Sequence, residues 1–288
     1  MHKWMTAVLF FAVAGFLPTT VLSESEPSLP PISANTVAEA VAEISSVLER
    51  QGFDIVLVVD HAASATSVGL ELAPTQVIFA RAPRALERRL LRRSDTIGID
   101  LPQKFLVFER DGVVNITTNP LGYLIDRHDI PVRDRVLRLL NASNEQFSET
   151  ENGLITVESL QNVEDTVTSL QTAISSNPAF DIPLVLDYAA KPNKPDNTRK
   201  NPGPVLIVFG NPNAGTPLMQ AAQEIGIDLP QKFLVWQDEA SDKVFITYND
   251  PVFLANRHDV RGQDARLAAI SGALRNFALI GAGQAPTP

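Results

Sequence analysis

No cysteine occurs among the 288 residues. That absence excludes disulfides, thiolate metal sites, a cysteine nucleophile and the lipid-bearing cysteine of a bacterial lipoprotein. Histidine is nearly as scarce, with only His2, His61, His128 and His258, and none of the four shows the H-x-x-x-H spacing of a zinc site. Asp60, Glu71 and Asp187 are the carboxylates a hard cation could use, but isolated carboxylates at strand ends ordinarily cap turns. The chain also lacks a Gly-x-Ser-x-Gly nucleophile elbow and the Gly-Lys-Ser/Thr ending of a phosphate-binding loop. Neither a metal nor a cofactor is therefore expected. Positive charge is in short supply as well, and a formal net charge of −9 argues against nucleic acid as a partner.

Long hydrophobic runs are missing beyond the N-terminus. The run Met5 to Leu17 falls short of the roughly 20 residues that cross a bilayer as a helix. With Lys3 before it, Pro18 after it and the small residue Ser23 at a fitting cleavage point, residues 1–23 read as a signal peptide. Its loss would take the net charge to −10, because Lys3 is its only formally charged side chain. The expected product is exported, periplasmic or secreted, with no transmembrane span.

What the sequence does contain is a duplication. Gly98-Ile99-Asp100-Leu101-Pro102-Gln103-Lys104-Phe105-Leu106-Val107 recurs unchanged from Gly226 to Val235. Around it, Gly52 to Ile55 answers Ala179 to Ile182, and Arg127-His128-Asp129 answers Arg257-His258-Asp259. After a linker at 24–34, the expected repeat modules are 35–148 and 149–281, followed by a disordered tail at 282–288.

Each copy opens on a helical stripe, Val37, Val41, Ile44, Val47 and Leu48 in the first and Val163, Val167, Leu170 and Ile174 in the second. Apolar runs rich in β-branched residues follow at Phe53–Val59 and Phe180–Leu186 and read as buried strands. Further strands are expected at Gln76–Phe79 and Val205–Phe209. In the second copy Thr216-Pro217 reads as an N-cap and first helical residue, for a helix ending near Gly226. Hairpins are expected at Lys104–Thr117, around Asp111-Gly112, and at Lys232–Tyr248. A closing helix follows, carrying Val132, Val136, Leu139 and Leu140 in one copy and Leu267, Ile270, Leu274 and Phe277 in the other. The pattern predicts an α+β fold of two homologous modules, each a mostly antiparallel sheet of about four strands with flanking helices. Asn141–Gly153 reads as the connection between them.

Several elements, in order, carry a family likeness. Asp60-His61-Ala62-Ala63, Ser67 to Thr75, Phe209-Gly210-Asn211-Pro212, Gly215 to Met219, the duplicated block, Tyr248-Asn249-Asp250-Pro251 and Arg257-His258 resemble the domain of unknown function family number three hundred and two. The likeness covers nearly all of the chain after the leader. It implies small α+β modules, found mainly in bacteria and archaea, and it brings no reaction. The two copies divide the pattern. The first keeps Asp60-His61 and the Glu71 stretch but has Phe79 to Pro83 in place of the Gly-Asn-Pro turn. The second keeps that turn but has Tyr188 for His61. Either a full site that needs both halves combines them across an interface, or one or both sites are degenerate.

The candidate ligand-binding residues are Asp60, His61, Glu71, Asn119, Arg127, His128, Asn211, Gly215, Thr216, Asn249, Arg257 and His258. For the Arg-His-Asp triplets the structural reading is that Arg and His neutralise a helix C-terminus while Asp caps the next helix. For Gly210 to Thr216 it is plain turn and cap chemistry, set against anion binding at a helix N-terminus. Arg81, Arg84, Arg88, Arg89, Arg92 and Arg93 form a basic face, either solvated or turned to an anionic surface. The leading functional reading is a non-enzymatic protein that binds a small ligand or a protein near the junction. One alternative is an enzyme using His61 or the Arg-His-Asp elements as acid/base groups, and another is an interaction module with a basic helix face.

Overall fold

The computed structural model describes residues 34–130, 152–189 and 203–286. In the first module, α1 (Val37–Arg50) starts at a reciprocal capping box of Thr36 and Glu39 and buries all five residues of its apolar stripe. A meander of four antiparallel strands follows in the order β1 (Asp54–Asp60), β2 (Thr75–Arg81), β3 (Gln103–Arg110) and β4 (Val113–Thr118). Three short helices join this frame: α2 (His61–Ser67) and α3 (Arg84–Leu91) flank β2, and α4 (Leu121–Arg127) follows β4.

The second module repeats the plan with β5 (Leu154–Ser159), α5 (Val163–Ser175), β6 (Asp181–Asp187), β7 (Val205–Gly210), α6 (Pro212–Ala221), β8 (Gln231–Gln237), β9 (Val244–Asn249), α7 (Pro251–Arg257) and α8 (Asp264–Gly281). Its sheet order is β5-β9-β8-β7-β6, so it has five strands where about four were expected. The extra strand is β5, which pairs antiparallel with β9 from Leu154 opposite Asn249 to Ser159 opposite Val244. The chain is α+β, with two antiparallel sheets and flanking helices.

The two sheets share a layer. Alternation along β2 and β3 sends Ile78, Ala80, Phe105 and Val107 to the α1 side, and Val77, Phe79, Leu106 and Phe108 to the other. In the second module Ile207, Phe209, Phe233 and Val235 lie in the core with Leu170 and Ile174 of α5 and Leu274 of α8. The opposite residues Leu206, Val208 and Leu234 join the Val77, Phe79 and Leu106 cluster. Each sheet thus gives one face to its own helices and one to the other module. Burial of each such Leu, Val or Phe contributes about 1.5–3 kcal/mol.

Three local expectations are corrected. β1 and β6 are edge strands whose residues are mostly half-exposed, not buried strands. Helix α6 begins at Pro212 with Asn211 as its cap and stops at Ala221, before a 3-10 segment, Gln223–Ile227, carries the chain to Asp228. Thr216 and Pro217 consequently lie inside the helix. A proline there cannot donate to the carbonyl four residues back, at Asn213, and Arg266 Nη1 supplies that bond instead at 2.8 Å. The closing helix expected around Val132 to Leu140, the leader and most of the Asn141–Gly153 connection lie outside the described residues.

Candidate functional site

The duplicated block lies where the modules meet, and it is unchanged because it has the same task on both sides of a pseudo-two-fold junction. Asp100 Oδ2 accepts from Arg127 Nη1 at 2.7 Å and from His128 Nε2 at 2.8 Å. Asp228 Oδ2 accepts from Arg257 Nη1 and His258 Nε2, each at 2.8 Å. The guanidinium groups then cross over: Arg127 Nη2 donates to Asn249 Oδ1 at 2.7 Å, and Arg257 Nη2 to Asn119 Oδ1 at 2.9 Å. Burial alone would raise both aspartates, yet the surrounding cations hold each far below the usual carboxylate range. For His128 burial outweighs the neighbouring carboxylate and lowers its pKa, so the ring is neutral and its Nδ1 accepts from Thr96 Oγ1 at 3.0 Å.

This adds buried partners to the helix-end reading of Arg and His and corrects the Asp part of it at Asp259. His128 and His258 do follow the last helical residues, and Asp129 and Asp259 adopt positive φ angles of 45° and 55° just past α4 and α7, but Asp259 does not cap α8, whose N-cap is Gln263; the chain beyond Ile130 lies outside the described residues. The partners of Arg and His are Asp100 and Asp228, which come from the duplicated block and were missed as site residues.

The lysines of the block break the symmetry. Lys104 Nζ reaches across to Asp228 Oδ1 at 2.9 Å and lies 3.7 Å from Asp100 Oδ1. Lys232 Nζ donates to the backbone oxygen of Asp228, at 3.2 Å, and has the Lys104 amine beside it. Burial, and then the charge of Lys104, push the Lys232 amine well below its ordinary pKa.

A second pair of contacts crosses the junction beside this network. His61 Nε2 lies 3.1 Å from the Gly226 carbonyl, so it carries the proton and donates. On the other side Tyr188 Oη donates toward the carbonyls of Gly98 and Leu101, at 2.8 and 2.5 Å. Gly98 and Gly226 are equivalent positions, and glycine suits both because a Cβ would press on Leu234 in one and Leu106 in the other. Burial lowers the pKa of His61 from 6.5 to about 4. Tyrosine in the equivalent place makes the equivalent bond, so His61 acts there as a neutral donor.

On the His61 side the junction is hollow. A cavity of about 840 Å³ is lined by the end of β1 with Asp60 and His61, by Phe180 and Pro183, by Gly210 to Thr216, by Leu229 to Gln231, and by one face of α8. It brings together Asp60 and His61 from the first copy with Asn211, Gly215 and Thr216 from the second, the two half-patterns that the repeats divide between them. Thr216 Oγ1 and Gln231 Oε1 are buried without a hydrogen-bond partner. Asp60 Oδ1 accepts from Ala63 N and Oδ2 from Gln76 Nε2. Asn211 caps α6 through Asn213 N, and its carbonyl accepts from Ala214 N and Gly215 N, so the helix start offers no spare donor to an anion.

The other candidates lie elsewhere. Glu71 is exposed, and only its carbonyl is used, by Gln220 Nε2. Asn119, Arg127, His128 and Asn249, all buried, and Arg257 and His258, half-buried, make up the junction network and do not line the cavity. Arg81 leaves the basic face: it is buried at the end of β2 and held by Glu87 at 2.7 Å. Arg88, Arg89, Arg92 and Arg93 are exposed on or just past α3, and Arg84 is half-exposed.

Fold and site together define a tandem α+β protein whose two modules enclose a ligand-sized hollow at their junction. The family model described as Domain of unknown function DUF302 matches residues 32–146 and 155–277, and the chain belongs to that family in two copies. Two curated relatives are each 38% identical over 110 residues, 38% of this chain. One is "Fluoride-specific ion channel FluC 1" of Brucella suis biovar 1 (strain 1330), matched over 42% of its length. The other is "Fluoride-specific ion channel FluC 2" of Brucella melitensis biotype 1 (strain ATCC 23456 / CCUG 17765 / NCTC 10094 / 16M), matched over 39%. The match therefore spans less than half of either relative. A solved structure of an uncharacterised conserved DUF302 protein from Bacillus stearothermophilus aligns with 44% of this chain and 95% of its own, at 17% identity and a TM-score of 0.37.

Proposed function

We propose that this protein binds a small organic ligand in the cavity between its modules and performs no chemistry on it. The carrying observation is the convergence of Asp60 and His61 from one copy with Asn211 to Thr216 from the other around a single 840 Å³ hollow. Small-molecule sites are commonly mostly apolar clefts of about 300–1,000 Å³ with a few convergent polar groups. Against acid/base work stands the use of each histidine: His128 and His258 are committed to buried aspartates, and the bond made by His61 is matched by that of Tyr188. The fluoride-specific channels share one 110-residue stretch with this chain. Among the described residues no helix is long and apolar enough to cross a membrane, so the reading rests on the cavity and not on ion conduction.

Native mass spectrometry of protein purified from its own host should show a retained small molecule. Ala273→Phe, which places a ring into the cavity from α8, should remove that molecule while the protein stays folded. A ligand retained at full occupancy by the Phe variant would overturn the reading. We also propose that the protein works outside the cytoplasm after loss of residues 1–23, with a mature mass beginning at or near Glu24. Met1 retained in the isolated protein would refute export by cleavage.

A further inference from the structure

The polar inventory of the cavity limits what its occupant can be, and this inference rests on the binding reading above. Thr216 is 1% exposed and Gln231 is 9% exposed; both line the cavity, and Thr216 Oγ1 and Gln231 Oε1 have no partner within the protein. A buried acceptor left unpaired is costly, which makes a ligand hydrogen the natural complement. The charged groups of the lining, Asp60, Asp181 and Arg266, are half-exposed or exposed to water, and His61 is buried but already bonded. Both oxygens of Asp60 are taken, and Nε2 of His61 is taken by a carbonyl. Arg266 is half-exposed, with Nε on Gln263 and Nη1 on Asn213, and Asp181 is exposed. The start of α6 has spent its donors on Asn211. No buried unpaired charge faces the hollow to meet an ionised head group, and the remaining wall is chiefly aliphatic, aromatic and proline, as at Leu57, Phe180, Pro183, Leu218, Leu229 and Ile270.

We infer that the occupant is an uncharged amphiphile, an apolar body bearing a hydroxyl or amide N–H that is buried against Thr216 and Gln231. The apolar body supplies affinity by burial, and the head group selects, because a ligand without a hydrogen to donate leaves the Gln231 carbonyl unpaired.

Four probes of similar chain length separate the possibilities: octan-1-ol, its isomer 1-methoxyheptane, octanoate and octylammonium, each titrated against the full-length protein by ligand-detected NMR. Octan-1-ol should bind roughly tenfold more tightly than 1-methoxyheptane, the size of one net hydrogen bond, and the two ions more weakly than the alcohol. In the Thr216→Val/Gln231→Leu variant, the alcohol should fall to the level of the ether while ether binding persists; a misfolded variant would lose both. Equal binding of alcohol and ether, or tightest binding of either ion, would overturn the head-group inference yet leave the cavity reading standing if Ala273→Phe abolishes it. Binding by none of the four would overturn both.

Discussion

The two sides of the module junction are built from equivalent positions and end differently. β2 and β7 take the same register on the duplicated strands, since Phe79 lies opposite Lys104 and Val208 opposite Lys232. One step on from Ala80 and Phe209, Arg81 therefore occupies the place of Gly210, and each lies opposite an aspartate on the edge strand, Asp54 and Asp181. On one side glycine leaves room and the cavity opens beside it. On the other, the arginine fills the equivalent place, bonded to Glu87 and to the carbonyl of Tyr188 at 3.2 Å. Among the described residues, a duplicated block unchanged in sequence is thus flanked by an arginine that fills its place on one side and by a glycine that borders the cavity on the other.

The sharpest way to break this comparison is to remove the filling. Arg81→Ala leaves Glu87 buried, 2% exposed, with no cation, and should cost about 3–5 kcal/mol in urea unfolding. The Arg81→Ala/Glu87→Leu double variant should recover most of that loss, because it removes the stranded carboxylate. A single variant as stable as the parent would show that the buried pair does not stabilise this flank.

The next effect depends on pH and separates His61 from Tyr188. With a folded pKa of about 4 against an ordinary 6.5, His61 takes up its proton more readily in the unfolded chain. The stability it contributes is complete above pH 6.5 and is lost as the pH falls toward 4, to a total of about 3 kcal/mol. His128 is shifted in the same direction, so the test is a difference. His61→Tyr, which copies the other side, should show a shallower decline between pH 6.5 and 4 than the parent. Parallel curves for the two proteins would contradict the assignment of a buried neutral His61.

Much of this architecture could be read in the residues. The stripes of α1 and α5, the Asp111-Gly112 turn and the apolar face of α8 follow from periodicity and turn chemistry, which are local. β5 escaped because its six residues, of which only Ser159 is buried, give a weak alternating signal, and what fixes them is the distant β9. For the site, the division of the pattern between the copies left two outcomes, halves combined across an interface or degenerate sites, and it is the strand and helix positions that bring Asp60 and His61 to the same hollow as Asn211 to Thr216. The role of Arg-His-Asp was not legible, since its partners Asp100 and Asp228 lie 28 and 30 residues from the histidines they meet. An unchanged Asp and Lys in a duplicated apolar strand region was the available signal: surface polar residues drift between copies, whereas buried ones with fixed partners do not. The register that sets Arg81 against Gly210 needed the strands in place.

The lysines of the block sharpen the comparison further, because identical residues are expected to respond with opposite sign. Lys104→Met deletes the cation at Asp228 Oδ1 and should destabilise by roughly 1–3 kcal/mol, moderated by the Arg257 and His258 bonds that remain. Lys232→Met removes an amine whose depressed pKa marks a cost of burial, and should be neutral or stabilising by about 1 kcal/mol at pH 7. The sign follows from linkage. The unfolded lysine holds its proton up to about pH 10.5, so the buried amine detracts from stability below that pH and ceases to do so above it. Any gain from Lys232→Met should therefore shrink as the pH rises through 10. Equal losses for the two variants would mean that the lysines are equivalent and the junction symmetric.

The smallest effect lies at the rim. Arg110 of the first module and Glu224 of the second form a two-pronged ion pair at 2.6 and 2.7 Å, with side chains 45% and 38% exposed. The block position equivalent to Glu224 in the first module is Thr96, so the pair has no counterpart on the other side. Good geometry favours it, but water and salt screen it and two flexible side chains must be held in place. Arg110→Ala should thus cost less than about 1 kcal/mol, and the cost should fall further as ionic strength rises. Parent and variant unfolded in urea at low and at high salt provide the check. A loss of several kcal/mol, or one that salt leaves unchanged, would place this contact in the buried junction network with Asp100 and Asp228, and would move the centre of the inter-module grip from the duplicated block to its edge.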